Sequence, residues 1–413
     1  MSMMDFANIK LRGDKVIWMI FLFLCLISIV EVYSASSMLT FRTNYWLPIL
    51  KHTASLLIGG IIIYYVHRMN PKHFWIFAAI LPVVWCLLLI TQIMGHTING
   101  ANRFLFGFQP SEVAKLSLIA CVAYFLSLPK ETLSESLSFK WIWALTIVTC
   151  VLILKNNFST GALLYGVVAI MMFIGQISFK RMSVFSLVTL VATALLFAFI
   201  LAFPQKSKEL GISRGHMWND RIKNYNEQPD VRKGNYIVND DNFQTTQAKI
   251  AVAQGGIIGK MPGNGNQRDF LPQAYSDFIY AIIIEEMGII GGIVVLALYV
   301  FLFIRAGTIA RRCEDLFSKY LVMGCATMIS LQALVNMAVS VGLIPVTGQP
   351  LPLVSRGGSS ILITCIYVGI ILNVSRFENS IAVEQDVEME EDFEGENLLD
   401  DDEDDAWDVQ PAY

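Results

Sequence analysis

The sequence predicts an all-α polytopic membrane protein with about ten transmembrane helices and one large extracytoplasmic loop. Of its 413 residues, 55% are hydrophobic and 15% charged, far more apolar than a soluble domain. Apolar runs near the ~20 residues that cross a bilayer recur about ten times. One long polar stretch, about 204–276, interrupts them.

The first apolar run, Ile17 to about Ser34, follows Lys10, Arg12 and Lys15. It is long and lacks a small-residue cleavage site, so it reads as a retained helix and not a signal peptide. Spanning helices are expected near 16–34, 47–66, 74–94, 111–128, 141–155, 158–177, 183–203, 278–304, 320–343 and 359–375. Ten crossings return both termini to one side. Lys and Arg in the N-terminus, in the four short loops of that side and at Arg376 total 14, against five opposite: Arg42, Lys51, Arg103, Lys155 and Arg356. That bias makes both termini cytoplasmic and the 204–276 loop external.

The loop carries ten Lys/Arg and seven acids. Within it, FQTTQAKIAVAQGGII (Phe243 to Ile258) has apolar residues at helical spacing and then a glycine pair, predicting a short interfacial helix with a turn behind it. No internal repeat argues for an inverted-repeat transporter.

Net charge is divided along the chain. After Arg376 come 16 acids and no Lys or Arg, which leaves 18 acids against 30 bases in the body. Residues 1–376 therefore read as the membrane domain and 377–413 as a disordered acidic cytoplasmic tail. The seven cysteines lie in or beside apolar runs without a CxxC pair, and the five histidines lack ligand spacing. Neither a disulfide framework nor a structural metal is indicated, and no nucleic-acid partner is expected.

Chemistry is concentrated at the external helix ends. Ser111 with Glu112, Ser159 with Thr160, Ser276 with Asp277, and Ser359 with Ser360 each stand where an outward-facing helix begins. All are suited to capping, which by itself explains them. Positive helix ends gathered on one face, with the amides of Gly357 and Gly358, would also favour a membrane-anchored anion such as a lipid pyrophosphate.

Glu112 and Lys115 stand three apart on one helix face: either an internal ion pair or the polar floor of a cavity. Glu285 and Glu286 fall two turns into the 278–304 helix and cannot share one face, so one is expected to work inward while the other meets a cation. Glu31 is a weaker candidate of the same kind. Pro345, Pro350 and Pro352 exclude regular structure from the loop before the last helix. That loop either terminates its neighbours or walls a cavity, with Arg356, Gly357 and Gly358 facing phosphate.

The blocks NGANRFLFGFQPSEVAKLSLI, WNDRI before FQTTQAKIAVAQGG, LPQAYSDFIYAIIIEEMGIIGG and PVTGQPLPLVSRGGSS, in this order, resemble the SEDS family of cell-wall proteins, the FtsW, RodA and SpoVE group. The likeness spans about 1–376. In one place the chain departs from the pattern: where the family often has an Asp in a PDLGT-like block, Asn156-Asn157-Phe158-Ser159-Thr160 stands, so a second essential carboxylate there is not expected.

The resemblance implies a peptidoglycan glycosyltransferase that polymerises lipid II, an undecaprenyl-pyrophosphate-linked disaccharide, on the outer face of the bacterial inner membrane. It implies a class B (FtsI-like) penicillin-binding protein and other divisome proteins as partners. The family's essential acid maps onto Asp277, and SRGGSS and NFSTG look more like its division-type branch than its elongation-type, RodA-like branch.

On this reading Asp277 is the base that takes a proton from the acceptor hydroxyl. Arg103, Arg221 and Arg356, helped by Gly357, Gly358 and Ser359, would meet the pyrophosphate. Glu112, Lys115, Glu285 and Glu286 would line the substrate cavity. No spacing demands a cofactor, though Mg2+ or Mn2+ is compatible with the chemistry. The competing readings are a lipid II flippase using the intramembrane charges as its pathway, and a non-catalytic scaffold.

Overall fold

The computed structural model describes residues 13–36, 46–94, 96–98, 101–105, 108–129, 131–154, 157–202 and 242–378. In chain order these form α1 (Lys15–Ala35), α2 (Trp46–Arg68), α3 (Trp75–Ala79), α4 (Leu81–Met94), the strands β1 (His96–Ile98) and β2 (Ala101–Phe104), α5 (Pro110–Ser127), α6 (Glu135–Leu154), α7 (Phe158–Ile174), α8 (Phe179–Ala202), α9 (Phe243–Gly255), α10 (Ile279–Arg312), α11 (Leu316–Ser340) and α12 (Gly358–Glu378). Every predicted span has a helix at its place. The WNDRI block with Arg221, most of the long loop, and the acidic tail beyond Glu378 lie outside the described residues.

Seven of these helices are long and apolar enough to cross a membrane, or eight if the bent pair α3 and α4 is one span. The molecule is thus a polytopic helical membrane protein. Pro82 accounts for the 41° bend, since it offers no N–H and its ring crowds the preceding turn. The antiparallel pair β1 and β2 is a small hairpin between α4 and α5.

The centre of the bundle is α5, α11 and α12, which are 67%, 67% and 78% buried over their apolar windows against 28% for α2 and 33% for α6. The pair α10 and α11 packs most extensively, and α11 also lies against α5 and α7. Outward-facing side chains such as Leu57, Ile61, Leu187, Ile293 and Phe301 are apolar and exposed, as a lipid-facing surface requires.

At 34 residues, α10 is about 51 Å long, more than the ~30 Å hydrocarbon core needs. It is broken at Gly288, whose φ of 73° and ψ of −178° suit only glycine. The segment behind α9 fills the break. Lys260 and Met261 N–H donate to the carbonyls of Glu285 and Glu286, at 3.0 and 2.8 Å, and Ile289 and Ile290 N–H donate to those of Gly256 and Ile257, at 3.0 and 3.3 Å. Backbone groups freed by the break are thereby paired again. The approach is so close that a Cβ on Gly288 would fall 2.2 Å from the Ile257 carbonyl oxygen.

The expected short helix is present as α9, followed by a turn at Gly256 with φ of 56°. The capping roles are a correction. α5 begins at Pro110 with Gln109 as N-cap, α7 at Phe158 with Asn157, and α10 at Ile279 with Phe278, and none of these caps bonds through its side chain. The serines and acids named from the sequence lie inside the first turn or, for Ser276 and Asp277, ahead of it. They are available for other partners.

Candidate active site

Asp277 is held by a series of turns that no helix could replace. Pro272 interrupts the backbone after Leu271, Gln273 has a φ of 59°, and Ser276 N–H closes onto the Gln273 carbonyl at 3.0 Å. The Asp277 side chain is half-buried. Its Oδ1 accepts from the Ser276 hydroxyl at 2.9 Å. Its Oδ2 stands beside Gly348, whose φ of 68° is the left-handed backbone that favours glycine.

The wall beside it is the proline-punctuated loop 345–357. Within it only the Leu351 carbonyl is closed on by loop amides, those of Val354 and Ser355 at 3.2 and 2.9 Å, among the hydrogen bonds of the described residues, and side chains from three helices pair four of the other carbonyls. Asn336 of α11 donates to the Gln349 carbonyl at 2.7 Å, and Gln332, one turn earlier, to that of Pro350 at 2.9 Å. Tyr299 of α10 donates to the Pro352 carbonyl and Ser28 of α1 to that of Val354 at 2.8 Å. The Gln349 side chain in turn donates to Thr160 Oγ1 at 2.9 Å.

Three bonds stitch this wall to the Asp277 turn. Asn336 Nδ2 also donates to the Asp277 carbonyl at 2.8 Å, Ser355 Oγ to the Ser276 carbonyl at 2.6 Å, and Arg356 N–H to the Tyr275 carbonyl at 2.9 Å. The Arg356 guanidinium lies over the Tyr275 ring, 5.4 Å from its centroid. Arg356 is therefore brought to the acid's own turn. Gly357, Gly358 and Ser359 follow it into α12, where Ile361 N–H closes on the Gly357 carbonyl at 3.0 Å.

Glu112 and Lys115 form the expected ion pair at 2.9 Å, with side chains 6% and 1% exposed. Lys115 Nζ also donates to Gln332 Oε1 at 3.0 Å. A buried polar chain thus runs from the pair through Gln332 to the Pro350 carbonyl, beneath the loop that walls Asp277.

Glu285 and Glu286 correct the sequence reading. Both are fully buried, and both face the same loop, because the break at Gly288 admits residues 256–267 against this part of α10. Glu285 accepts from Lys260 Nζ at 2.9 Å and from the amides of Asn266 and Gln267 at 2.9 and 3.1 Å. Glu286 accepts from the amides of Gly263 and Gly265 at 3.0 and 3.3 Å and from the Ser34 hydroxyl. They fasten residues 260–267 to the bundle, and the cation expected for one of the two is Lys260, on Glu285. Glu31, one turn before Ser34 on α1, is fully buried with neither carboxyl oxygen hydrogen-bonded among the described residues.

Arg103 belongs to β2, and its side chain, like the whole of Arg221, lies outside the described residues. Among the described residues, no three His, Cys, Asp or Glu side chains gather as a metal centre would need. Reasoning from sequence missed Gln332, Asn336, Gln349 and Ser355. A signal existed for two of them: Gln332 and Asn336 are uncharged amides four apart in the otherwise apolar stretch 331–339, on one face and buried.

A helical bundle with seven or eight candidate spans, and with a carboxylate and an arginine held on adjoining turns, defines a polytopic membrane protein with a polar site at one end. A family model described as "Cell cycle protein" (FtsW/RodA/SpoVE) matches residues 14–380. The chain belongs to that family. It is 32% identical over 375 residues to a protein of Geobacter metallireducens named "Probable peptidoglycan glycosyltransferase FtsW", covering 88% of this chain and 95% of that protein. It is 31% identical over 387 residues to "Stage V sporulation protein E" of Bacillus subtilis, covering 89% and 98%.

Among solved structures, a chain described under "Structural coordination of polymerization and crosslinking by a peptidoglycan synthase complex" aligns with a TM-score of 0.67 at 23% identity, covering 89% of this chain and 98% of that one. The rod shape determining protein RodA of Thermus thermophilus aligns with a TM-score of 0.61 at 23% identity, covering 88% and 97%. These two share the fold.

Proposed function

We propose that the chain is a peptidoglycan glycosyltransferase of the division type, polymerising lipid II with Asp277 as general base. The observation that carries the assignment is the half-buried Asp277 carboxylate, fixed to the 345–357 loop beside Arg356. Asp277 removes the proton of the acceptor sugar hydroxyl while that oxygen bonds to the donor's anomeric carbon. The bond from that carbon to the pyrophosphate breaks with inversion, and no covalent sugar–enzyme intermediate is needed, as in inverting glycosidases. Arg356 receives charge developing on the leaving lipid pyrophosphate, supported by the amides of Gly357 and Gly358 and by Arg103 and Arg221. Mg2+ or Mn2+ is compatible with this chemistry, where it would neutralise pyrophosphate charge.

The finer architecture belongs to the same proposal. α1, α2, the α3–α4 pair, α5, α6, α7, α8, α10, α11 and α12 make ten crossings, with both termini cytoplasmic and Asp277 outside, in keeping with the Lys/Arg bias. Residues 377–413 form a separate acidic tail. The partner is a class B penicillin-binding protein. A flippase would need polar groups free to pass a headgroup, whereas Glu112, Lys115, Glu285 and Glu286 are each bonded to other protein groups.

The test is Asp277→Asn in purified protein supplied with lipid II and a cognate penicillin-binding protein. Loss of the base should lower the polymerisation rate by about 100-fold or more. The melting temperature should stay unchanged, because the N-cap of α10 is Phe278 and not this residue. A rate comparable to the unmodified protein removes Asp277 as the base.

A further inference from the structure

At the other end of the bundle from Asp277, the start of α1 and the ends of α10 and α12 enclose a cavity of about 390 Å3 lined by Asp14, Lys15, Arg305, Thr308, Arg312 and Glu378. Its volume lies within the ~300–1,000 Å3 of small-ligand sites. Asp14 is fully engaged: Oδ1 accepts from the Val16 and Ile17 amides at 2.9 and 3.1 Å, and Oδ2 pairs with Arg305 at 2.6 Å. Glu378 lies against Cys313. Lys15 and Arg312 are exposed and have no ion pair among the described residues.

We propose that this cavity binds the phosphodiester of an anionic lipid headgroup. Three cations against two carboxylates leave one positive charge, which matches the single negative charge of a phosphodiester. The two unpaired cations approach from different helices, so one phosphate bridges α1 and α10. Val16 and Ile309 also line the cavity and offer apolar surface to the glycerol end of a lipid. Basic pockets between transmembrane helices near the headgroup layer have this chemistry. The assignment stands apart from glycosyl transfer and is read by binding alone.

The experiment is native mass spectrometry of the delipidated full-length protein with dioleoyl-phosphatidylglycerol, dioleoyl-phosphatidylcholine, or soluble glycerol 1-phosphate. The expected result is a phosphatidylglycerol adduct at least tenfold stronger than that of phosphatidylcholine, with no competition from equimolar glycerol 1-phosphate. The adduct should fall at least tenfold in Lys15→Gln/Arg312→Gln and persist in Lys15→Arg/Arg312→Lys and in Arg311→Gln, each checked for an unchanged melting temperature. Equal adducts with both lipids, or an unchanged adduct in the double glutamine variant, would overturn the site. Equal binding of glycerol 1-phosphate would transfer it to a soluble phosphate and overturn the lipid.

Discussion

The side-chain amide of Asn336 donates to two backbone carbonyls at once, that of Asp277 at 2.8 Å and that of Gln349 at 2.7 Å. One nitrogen therefore sets the distance between the acid and the loop that walls it. Asn336 is 1% exposed, so water cannot take its place.

Replacing Asn336 with Leu should leave both carbonyls without a donor, at about 1–3 kcal/mol of stability. The kinetic loss should exceed what that explains. Because Asn336 is a positioning residue, kcat for polymerisation should fall at least tenfold with KM for lipid II little changed, while Asn336→Gln recovers part of kcat. Steady-state kinetics with a parallel melting curve reads both. A fall confined to stability would leave Asn336 a packing residue.

Breaking the Glu112–Lys115 pair separates its two readings. Lys115→Met strands a buried carboxylate and should cost about 3–5 kcal/mol. Adding Glu112→Gln should restore most of that stability, since a buried pair is replaced by neutral groups of similar size. If the pair is only a lock, activity returns with stability. If it is the floor beneath the substrate, the double variant melts normally and still polymerises slowly.

Gly288→Ala tests the helix break. Alanine at this φ and ψ, a region held essentially by glycine alone, costs about 1–3 kcal/mol, and its Cβ would collide with the Ile257 carbonyl oxygen. Ile257 to Met261 should be expelled from α10, with a lower melting temperature and faster trypsin cleavage after Lys260. An unchanged digestion pattern would mean that the segment docks without needing this glycine.

Glu285→Ala should free residues 260–267. The amides of Asn266 and Gln267 lose their acceptor, and Lys260, 27% exposed, turns to water at little cost. Hydrogen–deuterium exchange should rise across 260–267 and stay unchanged in α11. Protection as in the unmodified protein would mean that Glu286 alone suffices.

The helices were legible because a membrane span announces itself by a long apolar run, and each expected run corresponds to a helix. The limits of α10 were less so: 278–304 was expected, and the helix runs on to Arg312 with a break at Gly288. A glycine in an apolar run gives no sign of which backbone will dock against it. Asp277 stood out as an acid at the edge of hydrocarbon, and Arg356 because glycines follow it. Gln332 and Asn336 carry no charge, and their value depends on carbonyls 13 to 59 residues away, which no local pattern encodes. The capping roles failed for a related reason. Ser111, Ser159 and Ser276 are suited to capping, but each helix starts one or more residues from where a cap would need them.

The first helix closes the far rim of the molecule. Ser34 meets Glu286, 252 positions later, and Ser28 meets Val354, 326 positions later. A nascent chain that has inserted only its early helices therefore owns neither a docked outer segment nor a finished proline loop. The site is assembled last, from both extremities of the membrane domain, so a partly built copy is catalytically silent.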